Sequence, residues 1–332
     1  MKRLSWKREN PGRPALCSLG FRGGLRGHTQ LIEQKSGYVR LLGNSLAERC
    51  SDPMARGAGR PQEHGSRFEQ FSNDMTAIVI AYTKVGLIVA ADGRARLEGD
   101  STIGTDHQQK IFHATIGKAD IAWTLAGNVF VGTFSLVDAV KKSMDAANSS
   151  NPLGCSPWLD VFAAHLRNSV SEARNSKLIP PFMENSSHPN PAERSVFATV
   201  FMAGYFCNGK PSSAQISLAH EKGELLDPLP SKLVAASFSE NHHNVYYGSQ
   251  EIILRYHNLH QDKRFLKYFR ASGRTLEEGL AHAKGCIEAC CDPLAREIDP
   301  IICNKIGGHI HAAAVTSSGF KWLIPPKESE SI

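Results

Sequence analysis

Two short apolar runs with a polar turn between them form the most regular pattern in the first third of the chain. The runs cover residues 77–82 and 87–91, and the turn, residues 83–86, contains a glycine. Apolar runs of this length around a glycine-containing turn predict a β-hairpin. Nearly every position in both strands is apolar, which indicates that both faces of their sheet are covered.

Strands and helices alternate in the predicted elements that follow. One further strand is predicted to begin at Lys110. The other predicted strands cover residues 120–126, 196–205, 215–220, 245–249, 310–316 and 320–324. Helices are predicted from the helical spacing of apolar residues and from helix caps. The first covers 129–147 with Asn128 as its cap, and the second begins after the cap Ser156. The third covers 250–258, and the fourth runs from Thr275 to Leu294. This order predicts an α+β fold in which two sheets pack together and a helix pair covers each outer face, a four-layer αββα sandwich.

The excess of basic over acidic residues lies entirely in the first 75 residues. Residues 1–75 contain 13 Lys and Arg and 7 Asp and Glu, which accounts for the whole formal charge of +6. This stretch has too little apolar surface to predict a packed core. It is interpreted as residues upstream of a true start at Met75, as a propeptide, or as a basic tail that contacts nucleic acid. The neutral body makes nucleic acid an unlikely partner.

The predicted domain is therefore residues 76–325, followed by a short tail over 326–332. No apolar run reaches membrane-spanning length, so we expect no membrane contact and a cytoplasmic location. Four of the eight cysteines, Cys286, Cys290, Cys291 and Cys303, lie close together without paired metal-ligand spacing. They are expected to be buried apolar thiols in a reducing compartment.

No metal or other cofactor is expected. His309 and His311 lie on one face of a predicted strand, but no third ligand stands at a telling spacing.

Thr76 directly follows Met75 at the head of the predicted hairpin. A small residue after an initiator methionine normally becomes the new N-terminus. A free N-terminal threonine carries a nucleophile and a base in one residue, because its hydroxyl attacks and its amine takes the proton.

Several motifs in the same order resemble proteasome β-type subunits, within the N-terminal nucleophile hydrolases. The matching residues are Thr76-Ala-Ile-Val79, Ala91-Asp92-Gly-Arg94-Ala95, Lys110-Ile111, Thr124-Leu-Ala-Gly127 and the glycine-rich stretch 306–316. The resemblance covers about residues 76–324 and implies a threonine-type peptidase that hydrolyses peptides or unfolded proteins. It also implies a homo-oligomeric ring that an ATPase cap could serve.

The resemblance implies a role for each matched residue. Thr76 Oγ1 would be the nucleophile and its own α-amine the general base. Lys110 would lower the pKa of the hydroxyl by its positive field, and Asp92 would orient Lys110, with Arg94 bracing the cluster. The resemblance also implies Gly127 as the oxyanion donor through its backbone N–H, and Ser249 as the residue that positions the amine.

Three apolar residues, Ala95, Leu125 and Val129, stand where the family lines its substrate-specificity pocket. The resemblance therefore implies a preference for apolar substrate side chains.

The sequence departs from the family where an aspartate and a serine support the amine. Those positions are Cys303 and Ile306 here, so the support is altered or comes from Asp299 or Asn304. The residue before Thr76 is methionine rather than the usual glycine, which favours methionine removal over self-cleavage. The alternative functions are a non-catalytic structural subunit of the same fold and, ranked below it, a nucleic-acid-associated protein that acts through the basic segment 1–74.

Overall fold

A computed structural model describes most of the chain after residue 75. The described residues are 76–96, 103–127, 129–131, 133–179, 195–221, 224–227, 229–230, 234–235, 244–257, 262–271 and 273–327. The predicted extension 1–75 and the cap Asn128 lie outside these residues.

Sixteen strands are present in the described part of the chain. They are β1 (Ile78–Tyr82), β2 (Gly86–Ala91), β3 (Ala95–Arg96), β4 (Ile103–Thr105), β5 (Ile111–Ile116), β6 (Ala119–Gly127), β7 (Phe130–Val131), β8 (Phe134–Ser135), β9 (Ser195–Cys207), β10 (Lys210–Glu221), β11 (Glu224–Leu225), β12 (Leu229–Pro230), β13 (Val234–Ala235), β14 (Val245–Tyr247), β15 (His311–Thr316) and β16 (Gly319–Ile324).

The described residues also form six α-helices and one short 3-10 helix, Lys263–Phe265. The α-helices are α1 (Leu136–Ser149), α2 (Cys155–Asn175), α3 (Gln250–His257), α4 (Leu276–Cys291), α5 (Pro293–Ile298) and α6 (Pro300–Cys303).

Two antiparallel sheets contain most of the strands. The first sheet has the order β14-β1-β2-β15-β16. The second has the order β11-β10-β9-β6-β5, and the short strands β12 and β13 also pair with β10. The predicted mixture of helices with two antiparallel sheets is confirmed.

Alternating side chains of the first sheet reach two different hydrophobic clusters. Ile78, Ile80 and Tyr82 contact residues of the second sheet such as Phe201. The intervening residues, such as Val79, pack with α3, α4 and α5. Because the side-chain period of a strand is two, a strand buried on both faces is apolar at every position. The apolar runs of the opening hairpin therefore have a direct structural cause.

The other face of the second sheet packs against α1 and α2. Trp123 of β6 and Met202 of β9 share one cluster with Phe162 and Leu166 of α2. All four side chains are almost fully buried. The apolar face predicted for the second helix, which includes Phe162 and Leu166, is therefore its buried face.

Local sequence signals determine several of the element boundaries. At the turn between β9 and β10, Asn208 and Gly209 have φ angles of 53° and 67°, which suit an Asn-Gly hairpin turn. The capping box at the start of α4 is formed, since Thr275 accepts from the backbone N–H of Glu278 and the Glu278 side chain accepts from the Thr275 N–H.

Two predicted helix boundaries were wrong. The helix predicted over 129–147 begins at Leu136, because the Ser135 side chain caps it by accepting from the Asp138 N–H. The residues before it form β7 and β8 instead. The helix predicted to reach Leu294 ends at Cys291, and Asp292 with Pro293 starts the separate helix α5.

Cys155 and Cys207 form a disulfide between the start of α2 and the end of β9. No sequence pattern predicted this pair. Cys286, Cys290 and Cys303 are buried free thiols, as expected, whereas Cys291 is a free thiol that is only partly buried. Among the described residues, no helix is both long enough and apolar enough to cross a lipid bilayer.

Candidate functional site

The opening hairpin brings the start of β1 next to the end of β2. Ile78 pairs with Ala91 in the register of the two strands, and one place further the Ala77 N–H donates to Asp92 Oδ1 at 2.8 Å. The Asp92 N–H donates in return to the Ala77 carbonyl at 3.2 Å. The residue that directly follows Thr76 therefore bonds to the Asp92 carboxylate.

Lys110 reaches this point from the second sheet, directly before β5. Its Nζ donates to Thr76 Oγ1 at 3.0 Å and to Asp92 Oδ1 at 3.3 Å. The relative exposures are 2% for Thr76, 3% for Lys110 and 0% for Asp92. A threonine hydroxyl, an ammonium and a carboxylate therefore meet in a water-excluded space between the two sheets.

Each oxygen of the Asp92 carboxylate accepts two hydrogen bonds. Beside the bonds to Ala77 and Lys110, its Oδ2 accepts from the Gly307 N–H at 3.0 Å and the Arg94 N–H at 3.3 Å. Three backbone donors and one ammonium thus compensate a buried charge that would otherwise be strongly disfavoured. The carboxylate is fixed in place and can orient Lys110.

Arg94 ties the site to a loop that the sequence analysis did not single out. Its Nε donates to Asp106 Oδ1 at 2.7 Å and its Nη1 to the Ile306 carbonyl at 3.4 Å. The backbone of Gly307 lies against the guanidinium, where an added Cβ would be 2.6 Å from Arg94 Cζ. Asp106 stands in a polar segment without periodicity, so no local signal marked it.

Ser249 lies beside the head of β1 and is fully buried. Ile78 pairs with Tyr247 in β14, and the next residue, Gly248, lies against Ala77, where an added Cβ would be 3.5 Å from Ala77 Cα. The Ser249 Oγ donates to Asp299 Oδ2 at 2.7 Å. Asp299, one of the two residues considered as a replacement for the missing amine support, therefore contacts the serine predicted to position that amine.

Cys303 and Ile306 are both fully buried in the helix-side core of the first sheet. Burial raises the pKa of the Cys303 thiol to about 11, and a hydrogen bond with the Ser249 side chain opposes that rise. The thiol is therefore neutral near pH 7 and cannot supply the charge of an aspartate at this position.

Gly127 ends β6 with a φ of 93°. A Cβ at this position would overlap the Phe197 carbonyl oxygen. Close packing against β9 thus requires a glycine here, whatever role its N–H has in chemistry.

The three predicted pocket residues lie in two parts of the described chain. Leu125 and Val129 pack in the cluster that includes α1 and α2. Ala95 pairs with Thr105 in the small ribbon of β3 and β4. All three side chains are buried, and their role in a substrate pocket stays a prediction.

The two histidines considered as metal ligands make other contacts. His309 Nε2 faces the Pro325 carbonyl at 2.9 Å, while His311 Nε2 accepts from the Lys110 backbone N–H at 3.0 Å. Within the described ranges, no three His, Cys, Asp or Glu side chains are grouped as a metal site.

Comparison with known proteins gives structural likenesses of low similarity. No family model matches the sequence, and no curated protein matches it. A solved Anbu (Gly-1) mutant from Hyphomicrobium sp. strain MC1 aligns with 76% of this chain and 89% of its own, at 14% identity and a TM-score of 0.42. The helical assembly of the Anbu complex from Pseudomonas aeruginosa aligns with 76% and 88%, at 13% identity and a TM-score of 0.43.

A third solved structure, Anbu (ancestral beta-subunit) from Yersinia bercovieri, aligns with 75% of this chain and 87% of its own, at 10% identity and a TM-score of 0.41. At these identities and TM-scores, the likenesses establish neither the fold nor an activity of this chain.

The family predicted from the sequence, the proteasome β-type subunits among the N-terminal nucleophile hydrolases, is corrected by these comparisons. The aligned structures are Anbu proteins at 10–14% identity, and no family model matches. Motif matches at a few positions do not amount to membership of that family. The chemistry of the site therefore has to be derived from its own contacts.

Proposed function

We propose that the protein is a threonine-type hydrolase of peptide bonds, with Thr76 as the nucleophile once residues 1–75 are absent. The observation that carries this proposal is the 3.0 Å hydrogen bond from Lys110 Nζ to Thr76 Oγ1. Lys110 is held in the buried site by Asp92. A cation that donates to a hydroxyl stabilises the developing alkoxide, which activates the hydroxyl as a nucleophile.

The free α-amine of Thr76 is the general base in this mechanism. A terminal amine has an ordinary pKa of roughly 7.7–8.0, so part of it is neutral near pH 7. The amine takes the hydroxyl proton while Oγ1 bonds to the substrate carbonyl carbon, and the Gly127 N–H is the proposed donor to the oxyanion. The peptide C–N bond then breaks, the leaving amine takes the proton, and water hydrolyses the resulting ester.

Ser249 and Asp299 are the proposed supports of the amine. The proposal is supported by the position of Ser249 directly after Gly248, which lies against Ala77, and by the hydrogen bond from its hydroxyl to Asp299. This arrangement would supply the orientation that Cys303 and Ile306 do not.

A mass measurement and one substitution test the proposal. The full-length chain is expressed, and the N-terminus of the purified protein is determined by mass spectrometry. A preparation that begins at Thr76 should hydrolyse peptide substrates, and Thr76→Ala should reduce the rate at least about a thousandfold. Thr76→Ser keeps the hydroxyl and should retain measurable activity.

A Thr76→Ala protein that is as active as the wild type would exclude the nucleophile. Activity in a chain that retains residues 1–75 would exclude the α-amine as base.

A structural role for the same cluster is the second candidate. The observation that favours it is the set of four hydrogen bonds to Asp92, which joins the first strand, the second sheet and the Gly307 loop. A threonine-directed electrophile such as an epoxyketone separates the candidates. Covalent labelling at Thr76 supports the enzyme, whereas an unlabelled, folded chain that begins at Thr76 supports the structural subunit.

We also infer the four-layer αββα arrangement from the three hydrophobic clusters. One cluster lies between α1, α2 and the second sheet, one between the sheets, and one between the first sheet and the helices α3, α4 and α5. The homo-oligomeric ring and the ATPase partner stay predictions, which the mass of the native assembly tests.

A further inference from the structure

His311 is a buried histidine that the proposed mechanism does not use. It begins β15, pairs with Ala91 of β2, and is 1% exposed. Ala313 and Val315, which follow on the same side of the strand, face the cluster between the two sheets. The imidazole therefore points from the first sheet toward the second, next to the strand that ends at Asp92.

The imidazole contacts the backbone of the lysine whose side chain reaches Thr76. The Lys110 N–H donates to His311 Nε2 at 3.0 Å. Lys110 directly precedes β5, which is an edge strand that pairs only with β6 in the described residues. Among the described residues no further strand pairs with the outer side of β5, although the Gln108 N–H donates to the Gly93 carbonyl at 2.9 Å. His311 therefore adds a hydrogen bond from the first sheet to a segment that the second sheet pairs on one side.

The first sheet thus holds Lys110 at both ends. Asp92, after β2, accepts from the side-chain Nζ at 3.3 Å, and His311, at the start of the neighbouring β15, accepts from the backbone N. A long lysine side chain has many rotamers, and a displaced backbone would change where Nζ lies relative to the hydroxyl.

We propose that His311 is a positioning residue of the proposed active site, which keeps Lys110 Nζ on Thr76 Oγ1 by accepting the Lys110 backbone N–H. This inference rests on the proposed function of Thr76. It requires a neutral imidazole whose Nε2 is an acceptor.

The surroundings of the ring favour that neutral form. Burial and the nearby charge of Lys110 lower the pKa of His311 to about 4, with a further contribution from His309. In the described residues, the charged and titratable groups that act on the ring are Lys110 before β5 and His309 on its own segment, while β16 contributes the Trp322 ring at 6.3 Å. A hydrogen bond to the His309 backbone opposes the shift. The ring is neutral at pH 7.

Two substitutions at His311 separate hydrogen bonding from packing. His311→Gln can place an amide oxygen near the position of Nε2, whereas His311→Leu fills the space without an acceptor. In the mature protein, His311→Leu should lower kcat about tenfold with KM within about a factor of two, because the buried Lys110 N–H loses its partner. His311→Gln should stay within about threefold of the wild type.

Hydrogen exchange measured by mass spectrometry gives a readout that does not depend on catalysis. The peptide that contains Lys110 should exchange about tenfold faster in His311→Leu and at the wild-type rate in His311→Gln. His309→Leu is the matched control, since it removes an imidazole two residues away whose Nε2 faces the Pro325 carbonyl at 2.9 Å, whereas the Lys110 N–H donates to His311. It should change neither kcat nor exchange at Lys110.

Each outcome decides the inference. Equal impairment in His311→Leu and His311→Gln, or unchanged exchange and kcat in His311→Leu, would overturn it. If His311→Leu does not fold, His311→Asn takes its place, because the shorter amide stops short of the Nε2 position and should show the same defect. If the wild type proves inactive, the proposed function fails, and the exchange comparison alone supports or overturns the positioning of Lys110.

Discussion

The two ends of strand β1 carry buried polar clusters of different character. At its start, Lys110 and Asp92 form a buried ion pair around the Thr76 hydroxyl. At its end, the Tyr82 N–H donates to Asn244 Oδ1 at 2.9 Å. The Asn244 amide then donates to the Tyr246 hydroxyl, which lies 2.8 Å from His282 Nε2. One cluster is built around charges, and the other around an amide, a hydroxyl and an imidazole.

The difference distinguishes the end of β1 that suits a purely structural role from the end that suits chemistry. An amide, hydroxyl and imidazole network satisfies buried backbone and side-chain groups at a modest energetic cost. A buried ion pair carries a large desolvation penalty and is often no more stable than an apolar replacement. The cluster that holds charges next to the proposed nucleophile is therefore the better candidate for chemistry.

The largest expected effect comes from removing one charge at the start of β1. Lys110→Met leaves Asp92 buried without its cation, although three backbone N–H donors remain. We expect the free energy of unfolding to fall by about 3 kcal/mol, the low end for a broken buried pair, and hydrolysis to fall at least about a hundredfold. Urea unfolding and peptide hydrolysis measure the two effects.

The matched control for that substitution is Lys142→Met, on an exposed position of α1. Its unfolding free energy should change by less than about 0.5 kcal/mol. If Lys110→Met lowers the unfolding free energy as little as Lys142→Met does, the buried ion pair contributes no more than an exposed lysine. The contrast between the two ends of β1 is then wrong.

The part of the site that is local in sequence was predictable, and the long-range part was not. Thr76 and Asp92 lie on one hairpin, whose apolar runs and turn predict their proximity. Asp106 and His311 offered no comparable signal. His311 contacts a residue 201 positions away, and such a pairing depends on how the two sheets pack rather than on any pattern near it.

The misplaced helix start shows the same limit at short range. The apolar spacing of residues 129–135 suits a helix, but the Ser135 side chain caps the backbone at Asp138 and the helix begins at Leu136. Periodicity cannot decide between a helix turn and a two-residue ribbon when both bury the same side chains. The Cys155–Cys207 pair likewise depends on tertiary packing, since 52 residues separate the two cysteines.

Acid should destabilise the start of β1 more than its end. The pKa of His311 is lowered to about 4, against about 6.5 in an unfolded chain. Between these values the unfolded chain binds a proton that the folded chain does not, so the unfolding free energy decreases as pH falls from 6.5 to 4. His311 should contribute about 2 to 3 kcal/mol of the loss between pH 7 and pH 4.5.

Urea unfolding of His311→Gln at the two pH values should therefore show a smaller pH dependence than the wild type. Partial burial, with a smaller effect of His282, also lowers the pKa of His257, at the end of α3, to about 4. His257 is an exposed residue, so solvent screening should make its share smaller. A His257→Gln variant that removes as much of the pH dependence as His311→Gln would contradict the contrast.

The smallest effect is expected in the uncharged cluster at the end of β1. Tyr246→Phe removes the hydroxyl that joins Asn244 to His282, but Asn244 Nδ2 and His282 Nε2 are already 3.5 Å apart. These two groups can bond directly after a small shift, so unfolding should become easier by only about 1 kcal/mol. Hydrolysis at Thr76 should stay within about twofold of the wild type, because the charged cluster lies at the opposite end of the strand. A loss of activity comparable with that of Lys110→Met would show that both ends of β1 belong to one catalytic unit.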